Sequence, residues 1–344
     1  MTTLAISAGG PNASSVDVKH NLRAVRTYVR ERGLILTLKA LEQPSLWLFF
    51  CLIIVDWAVI FAAMAMALYL SVWLLPLSVV VIASRQRALG IFIHDATHKH
   101  ICRNMRLNDL VARYLLALPL FEDFTSYRKS HTNHHRNLGH DSNDPDYVDP
   151  QWFAHIGPTD TFAAAKIYLT LLKVKLMAGV QVRFDALCWW LALTGVLTLC
   201  VGLHIALSMV CIWIISYLTA YKAITTFTEL SDHTYGVDSG LTYTRTIPWS
   251  ILVPICYPHN DCFHLAHHLL PGIPTPRLKQ AHRMLLGMEE YANSHTCDSL
   301  ASLFREWTRL LPNKSPQPRP SITSQLAGSL EVASSMTLNP SGVA

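Results

Sequence analysis

Histidine dominates the chemistry this chain can do. Of its 17 histidines, 12 fall within 94–140 and 233–268. Most of these stand in three runs: His94-Asp95-Ala96-Thr97-His98, His131-Thr132-Asn133-His134-His135 and His264-Leu265-Ala266-His267-His268. Within each run the imidazoles recur at i and i+4, or at i, i+3 and i+4. On a helix those offsets share one face, because 3.6 residues make a turn. Three such faces carry eight imidazoles, and imidazole is a ligand for iron, zinc, copper or nickel. Eight nitrogens exceed what one tetrahedral zinc takes and suit two metal ions. A ninth candidate, His233, follows Glu229-Leu230-Ser231-Asp232. Glu229, one turn back, is placed to hydrogen-bond a ligand or a metal-bound water, or else to form a surface ion pair.

The elements that must hold these runs are apolar. The chain has 344 residues, of which 51% are hydrophobic and only 15% charged. Soluble domains average about 25% charged, so the composition points to a membrane. Residues 46–84 contain one formal charge, Asp56. The segment is too long for one crossing of a ~30 Å hydrocarbon core, so it is read as a pair of spanning helices turning near Ala67–Ser71. Asp56 reads best as a polar residue binding helices together, with a functional intramembrane acid as the alternative. Arg85 and Arg87 mark the exit from the membrane. His94 then lies on the extension of the second span. Residues 186–221 are again nearly uncharged and are read as a second pair, turning near Gly202–His204, with His204 in the loop. The spans are expected at about 46–66, 68–93, 186–203 and 205–226.

Lys and Arg set the orientation. Residues 1–45 hold six and residues 94–185 hold eleven, while both presumed outer turns hold none. Both termini and all three histidine runs are therefore expected on the cytoplasmic side. The predicted fold is an all-α integral membrane protein: four transmembrane helices in two hairpins, with a cytoplasmic helical cap carrying the histidines. Residues 1–45 are expected to form a cytoplasmic tail with a basic amphipathic helix lying on the membrane surface, or else an ordinary packed helix. Residues 46–311 form the membrane domain, and 312–344, rich in Ser and Pro, a disordered tail. Val111–Phe121 and Thr161–Val180 are read as buried or interfacial pieces, Asn143-Asp144-Pro145-Asp146 as a turn, and Ile247–Pro258 as a re-entrant or interfacial stretch broken by Pro248, Pro254 and Pro258.

Other classes fit poorly. The eight cysteines form no CxxC pair, which argues against a zinc ribbon or a disulfide framework. The net charge of +5 is spread out among apolar runs, so nucleic acid is not the expected partner. A membrane zinc protease needs HExxH, and Asp95 follows His94 with the next histidine at i+4. A metal transporter would carry its histidines inside the spans rather than just beyond them.

Three runs in this order, around two apolar pairs, resemble the integral-membrane fatty acid desaturase and hydroxylase family, whose three histidine boxes appear here as His94-x-x-x-His98, His131-x-x-His134-His135 and His264-x-x-His267-His268. The stretch Pro258–Pro271 and the later Ala281-His282-Arg283 are also similar to that family. The resemblance covers roughly residues 50 to 290. It implies a non-haem di-iron centre that uses O2 and two external electrons to remove hydrogen from an unactivated C–H bond of a lipid or lipid-like chain. It makes His94, His98, His131, His134, His135, His264, His267 and His268 ligands, with His233 as the additional one. Asp95, Glu229, Asp232, Asn260 and Asp261 become candidates for supporting those ligands, against an alternative as solvated or helix-capping side chains. No flavin fingerprint, HPGG haem motif or cysteine cluster appears, so the resemblance implies a separate electron donor of the ferredoxin, rubredoxin or cytochrome b5 type. A first box with three intervening residues and a third box beginning with His depart from the acyl-CoA delta-9 and front-end types. Desaturation is the first reading. Hydroxylation or ketone formation, on a carotenoid or a specialised small molecule, is the second. The absence of a fused cytochrome and of eukaryotic targeting suggests a bacterial inner membrane.

Overall fold

The computed structural model describes residues 14–139, 143–157, 159–233, 241–247, 249–294, 297 and 299–311. The expected tail at 312–344, Pro248 and the first 13 residues lie outside them. Among the described residues the chain is helical with no strand; one isolated antiparallel bridge joins His233 to Thr244.

Four rods are long and apolar enough to cross a membrane: Leu46–Leu70, Val72–Thr97, Phe184–Val201 and Leu203–Asp232. In chain order, α1 (Ser14–Glu31) and α2 (Ile35–Leu41) precede them. The first rod is α3 (Leu46–Ala65) with a π-helical end, Met66–Leu70. Ser45 caps α3, its Oγ accepting from the Leu48 N–H at 3.4 Å. The chain breaks at Ser71, whose backbone is extended, and the second rod contains α4 (Leu75–Thr97). α5 (Met105–Val111), α6 (Phe124–Asn137) and α7 (Ala163–Met177) follow. The third rod is α8 (Phe184–Val201). The fourth joins α9 (Leu203–Ser216) to α10 (Lys222–Asp232) through a π-helical turn, Tyr217–Tyr221. Then come α11 (Val253–Cys256), α12 (His264–Leu269), α13 (Leu278–Leu285), α14 (Glu289–Ala292) and α15 (Leu300–Trp307).

Gly202 separates α8 from α9 with φ +82 and ψ 156, a conformation that only glycine adopts without strain. His204 falls inside the first turn of α9 rather than in a loop, and lines a groove with Ala67, Leu68, Val72 and Leu75. It is remote in sequence and contact from the histidine runs. The lipid-type surface is visible in the exposed apolar side chains, Trp47, Ile54, Trp73 and Leu199 among them. α3, α4 and α9 pack around Phe49, Ile60, Phe92 and Trp213, with the Trp57 and Trp213 rings stacked at 5.2 Å.

Two further apolar clusters support the histidine region. One packs α7 (Ile167, Leu171), α10 (Phe227, Leu230) and α15 (Leu303, Trp307) together. The other involves α1, where Val25 and Val29 of the apolar face are buried with Leu265, Ala266 and Leu269 of α12 and Leu285 of α13. Asn21 Nδ2 donates to the Leu241 carbonyl at 2.8 Å and Tyr28 Oη to the Met284 carbonyl at 3.3 Å. Periodicity predicts an apolar stripe, and here the third histidine run is what the stripe covers. Arg85 and Arg87 likewise do more than mark an exit. Both are inside α4 and carry ion pairs, Arg85 with Asp56 and Arg87 with Asp261.

Candidate metal centre

Each histidine run sits at or near a helix end. His94 is in the last turn of α4 and His98 caps it; His131, His134 and His135 are in the last two turns of α6; His264, His267 and His268 make up half of α12; His233 follows α10 directly. Helix ends leave carbonyls without intrahelical partners, and the structure supplies them here. Arg245, almost wholly buried, aims Nη1 at the carbonyls of Leu230 (3.2 Å), Ser231 (3.1 Å) and His233 (2.5 Å). Its backbone N–H donates to the Asp232 carbonyl at 2.9 Å, and its carbonyl accepts from the Leu265 N–H at 3.0 Å. One residue therefore ties the end of α10 to the start of α12.

All nine predicted histidines come together, through their Nε2 atoms, in two sets. In the first, His94 and His267 approach to 3.0 Å, His267 and His135 to 3.1 Å, His135 and His131 to 3.0 Å, and His131 and His98 to 2.9 Å. In the second, His134 and His233 lie 3.1 Å apart, His233 and His264 3.2 Å, and His264 and His268 3.1 Å. The geometry suits metal binding. Two nitrogens held at ~2.1 Å and at right angles around one ion are about 3.0 Å apart, whereas a tetrahedral pair is about 3.4 Å apart. The neighbouring separations are those of adjacent vertices of an octahedron; His94, His98, His131, His135 and His267 lie mutually close enough for one ion, as do His134, His233 and His268, with His264 beside His233 and His268 at the edge of the second set.

The donor chemistry agrees. A neutral imidazole has one N–H and one lone pair. His134 Nδ1 donates to Asp144 Oδ1 at 2.7 Å, which leaves its Nε2 bare and facing the second set. Lone pairs converging at this distance repel unless a cation lies between them. Burial, followed by the neighbouring imidazoles, keeps the rest neutral: His98 is pushed down to about 2, and His135 and His264 to about 3. His134 differs. Burial works to lower it, but the Asp144 hydrogen bond and the Asp146 and Asp144 charges outweigh that and raise it.

The supporting candidates take varied positions. Asp95 is fully buried and accepts from the Thr275 N–H (3.1 Å) and Oγ1 (2.9 Å) and from His100 Nδ1 (3.1 Å). It thereby pins the segment that follows α12 to α4. Asn260 Nδ2 donates to the Pro276 carbonyl at 2.8 Å, and Asp261 pairs with Arg87. Asp232 is buried at the end of α10 beside His233. Glu229 pairs with Lys175 of α7.

The sequence reads Asp144 as part of a turn and of an Asp144-Pro145-Asp146 motif similar to carotenoid ketolases and hydroxylases, without giving it a role at the histidines. It is in that turn, accepting from the Gly139 and Asp146 N–H groups, and also holds His134. An acid in a tight turn ten residues beyond a histidine was the available signal. Arg245, Thr275 and His100 gave none. Asp56 did, since a lone acid in an apolar segment calls for a partner. It has two: Arg85 Nη1 at 3.0 Å and His259 Nε2 at 2.8 Å.

Residues 70–298 match the family model described as fatty acid desaturase. The chain is 28% identical over 300 residues to the dihydrorhizobitoxine desaturase of Bradyrhizobium elkanii, covering 79% of this chain and 82% of that one. It is 25% identical over 274 residues to the chloroplastic omega-3 fatty acid desaturase of Brassica napus, covering 68% and 67%. Over a shorter stretch of 99 residues, 28% of this chain and 22% of the other, it is 34% identical to the temperature-sensitive sn-2 acyl-lipid omega-3 desaturase (ferredoxin) of Arabidopsis thaliana.

Proposed function

Since this chain belongs to the fatty acid desaturase family, an oxidoreductase family whose model spans its histidine runs, we propose that it is a membrane-bound, O2-dependent desaturase with a non-haem di-iron centre, acting on a fatty acyl or lipid-like chain. The observation that carries this reading is the convergence of nine Nε2 atoms in two neighbouring sets, each atom about 3 Å from the next. His94, His98, His131, His135 and His267 would hold one iron, and His134, His233, His264 and His268 the other. When bound, the iron pair supplies the oxidising chemistry: two hydrogens leave adjacent saturated carbons and, with O2, two electrons and two protons, yield an alkene and two waters. The protein holds the imidazoles neutral and fixed, and the buried setting keeps bulk water from the reacting carbons.

The electrons come from a separate protein of the ferredoxin, rubredoxin or cytochrome b5 type. One relative's name carries ferredoxin in parentheses, in keeping with such a donor. The four apolar rods act as two hairpins through a membrane, with both termini and the histidines on the cytoplasmic face, in a bacterial inner membrane. The basic segments on either side of the first two rods favour that orientation.

The test pairs metal analysis with product analysis. Purified protein is expected to hold two irons per chain. Extracts of cells making it are expected to contain a product two hydrogens lighter than its precursor, absent with His135→Ala. A single zinc per chain would end the di-iron reading. A product that gains one oxygen would replace desaturation with hydroxylation.

A further inference from the structure

α12 cannot hold itself in place. It has six residues and no side-chain cap at Phe263, whereas an isolated helix needs about 12–15 residues to be even marginally stable. Yet it contributes to both nitrogen sets, His267 to one and His264 and His268 to the other. Its aim depends on the residues that lead into it. Two of these, His259 (φ 59) and Asn260 (φ 71), are consecutive non-glycine residues in the left-handed region. Such a conformation persists only where the surroundings over-determine it.

The surroundings do so from the spanning rods. His259 donates through Nε2 to Asp56 Oδ2 at 2.8 Å, and its ring stacks on Phe92 of α4 at 4.6 Å. Asp56 is fully buried in α3, and its other oxygen accepts from Arg85 Nη1 at 3.0 Å. Arg85 Nη2 also reaches the Pro254 carbonyl at 3.4 Å, in α11, the short helix from which the same loop departs. The next two residues are held by Pro276 and Arg87. A buried carboxylate is tolerated only when paired and hydrogen-bonded, and here both pairing groups bear on this loop.

From this geometry we infer that Asp56 is a positioning residue for the metal centre. Through His259 and Arg85 it locks the left-handed lead-in that aims α12, although it lies in α3, 38 residues before the first ligand histidine. The inference rests on the reading of the nine histidines as metal ligands.

The experiment uses the full chain in detergent, with Asp56→Asn, His259→Asn, the double variant, and Gln86→Met as control. His259→Asn keeps a residue that tolerates the left-handed backbone but cannot reach Asp56. Gln86→Met removes a buried bond between α4 and the Trp213 carbonyl of α9, a bond that involves neither Asp56 nor any residue of the loop. Two quantities are measured: iron retention against a competing chelator, and the alkylation rate of Cys262, which is buried in the loop, read by peptide mass spectrometry. Each single variant is expected to bind iron ~10–100-fold more weakly, as losses behind a ligand typically do. Each should also expose Cys262, and the double variant should be no worse than the stronger single, because the two residues act through one bond. The control should leave both quantities at wild-type values. Wild-type iron retention and Cys262 protection in Asp56→Asn would overturn the inference. So would equal losses in Gln86→Met, which would mean general destabilisation. If the wild-type chain itself holds no iron, the functional reading fails, and the Cys262 rates alone decide whether Asp56 locks the loop.

Discussion

At the scale of single residues, the centre is built from imidazoles that burial keeps unprotonated, His134 with its Asp144 partner excepted. His135 and His264 sit at about 3 in the folded chain against an ordinary 6.5. As pH falls through 6.5 the unfolded chain takes up protons first, so the fold loses stability progressively toward 3. Metal-stripped protein should therefore melt at falling temperature as pH drops from 7 to 5, a window above most carboxylate titrations. A melting temperature that stayed level across that window, followed by tryptophan fluorescence, would contradict this account. The histidines were legible in the sequence because 3.6-residue periodicity makes a shared face visible in the spacing. Their partners were not. The Asp144 bond to His134 depends on a turn folding back, and the Asp56 bond to His259 joins residues 203 positions apart; an acid in a turn and a lone acid in an apolar segment signal that a partner exists, but no local pattern says which.

At the scale of elements, α4 acts as the jig for the third run. Arg85 and Arg87 anchor the residues before α12, and Asp95 anchors Thr275 after it. Thr275→Val removes the Oγ1 donor to a buried carboxylate and should cost about 1.5–3 kcal/mol, the range for hydrogen bonds to charged groups. Denaturant melts with the metal removed would register the cost, and iron retention should fall with it. Unchanged melts would show that the backbone N–H and His100 suffice to satisfy Asp95. The four apolar rods could be read from composition. What α1 packs against could not, because a basic helix with an apolar stripe has the same periodicity whether it covers a membrane or another helix.

At the scale of the whole molecule, the proposed orientation makes the two ends of the fourth rod chemically distinguishable. A membrane-impermeant thiol reagent applied to intact cells should label a cysteine placed at His204, beside the Gly202 turn. It should spare one placed at Arg136, which is exposed at the end of α6 next to the histidines. Labelling with the opposite preference would invert the topology and move the electron donor to the other compartment.

The first nitrogen set joins His94 to His267, and the second joins His134 to His268. A nascent chain has therefore passed its fourth apolar rod before either set can close. On the proposed reading, the order of synthesis thus defers a full ligand set to the last third of the chain, and a chain that stalls before residue 264 lacks its last three imidazoles and cannot complete either set.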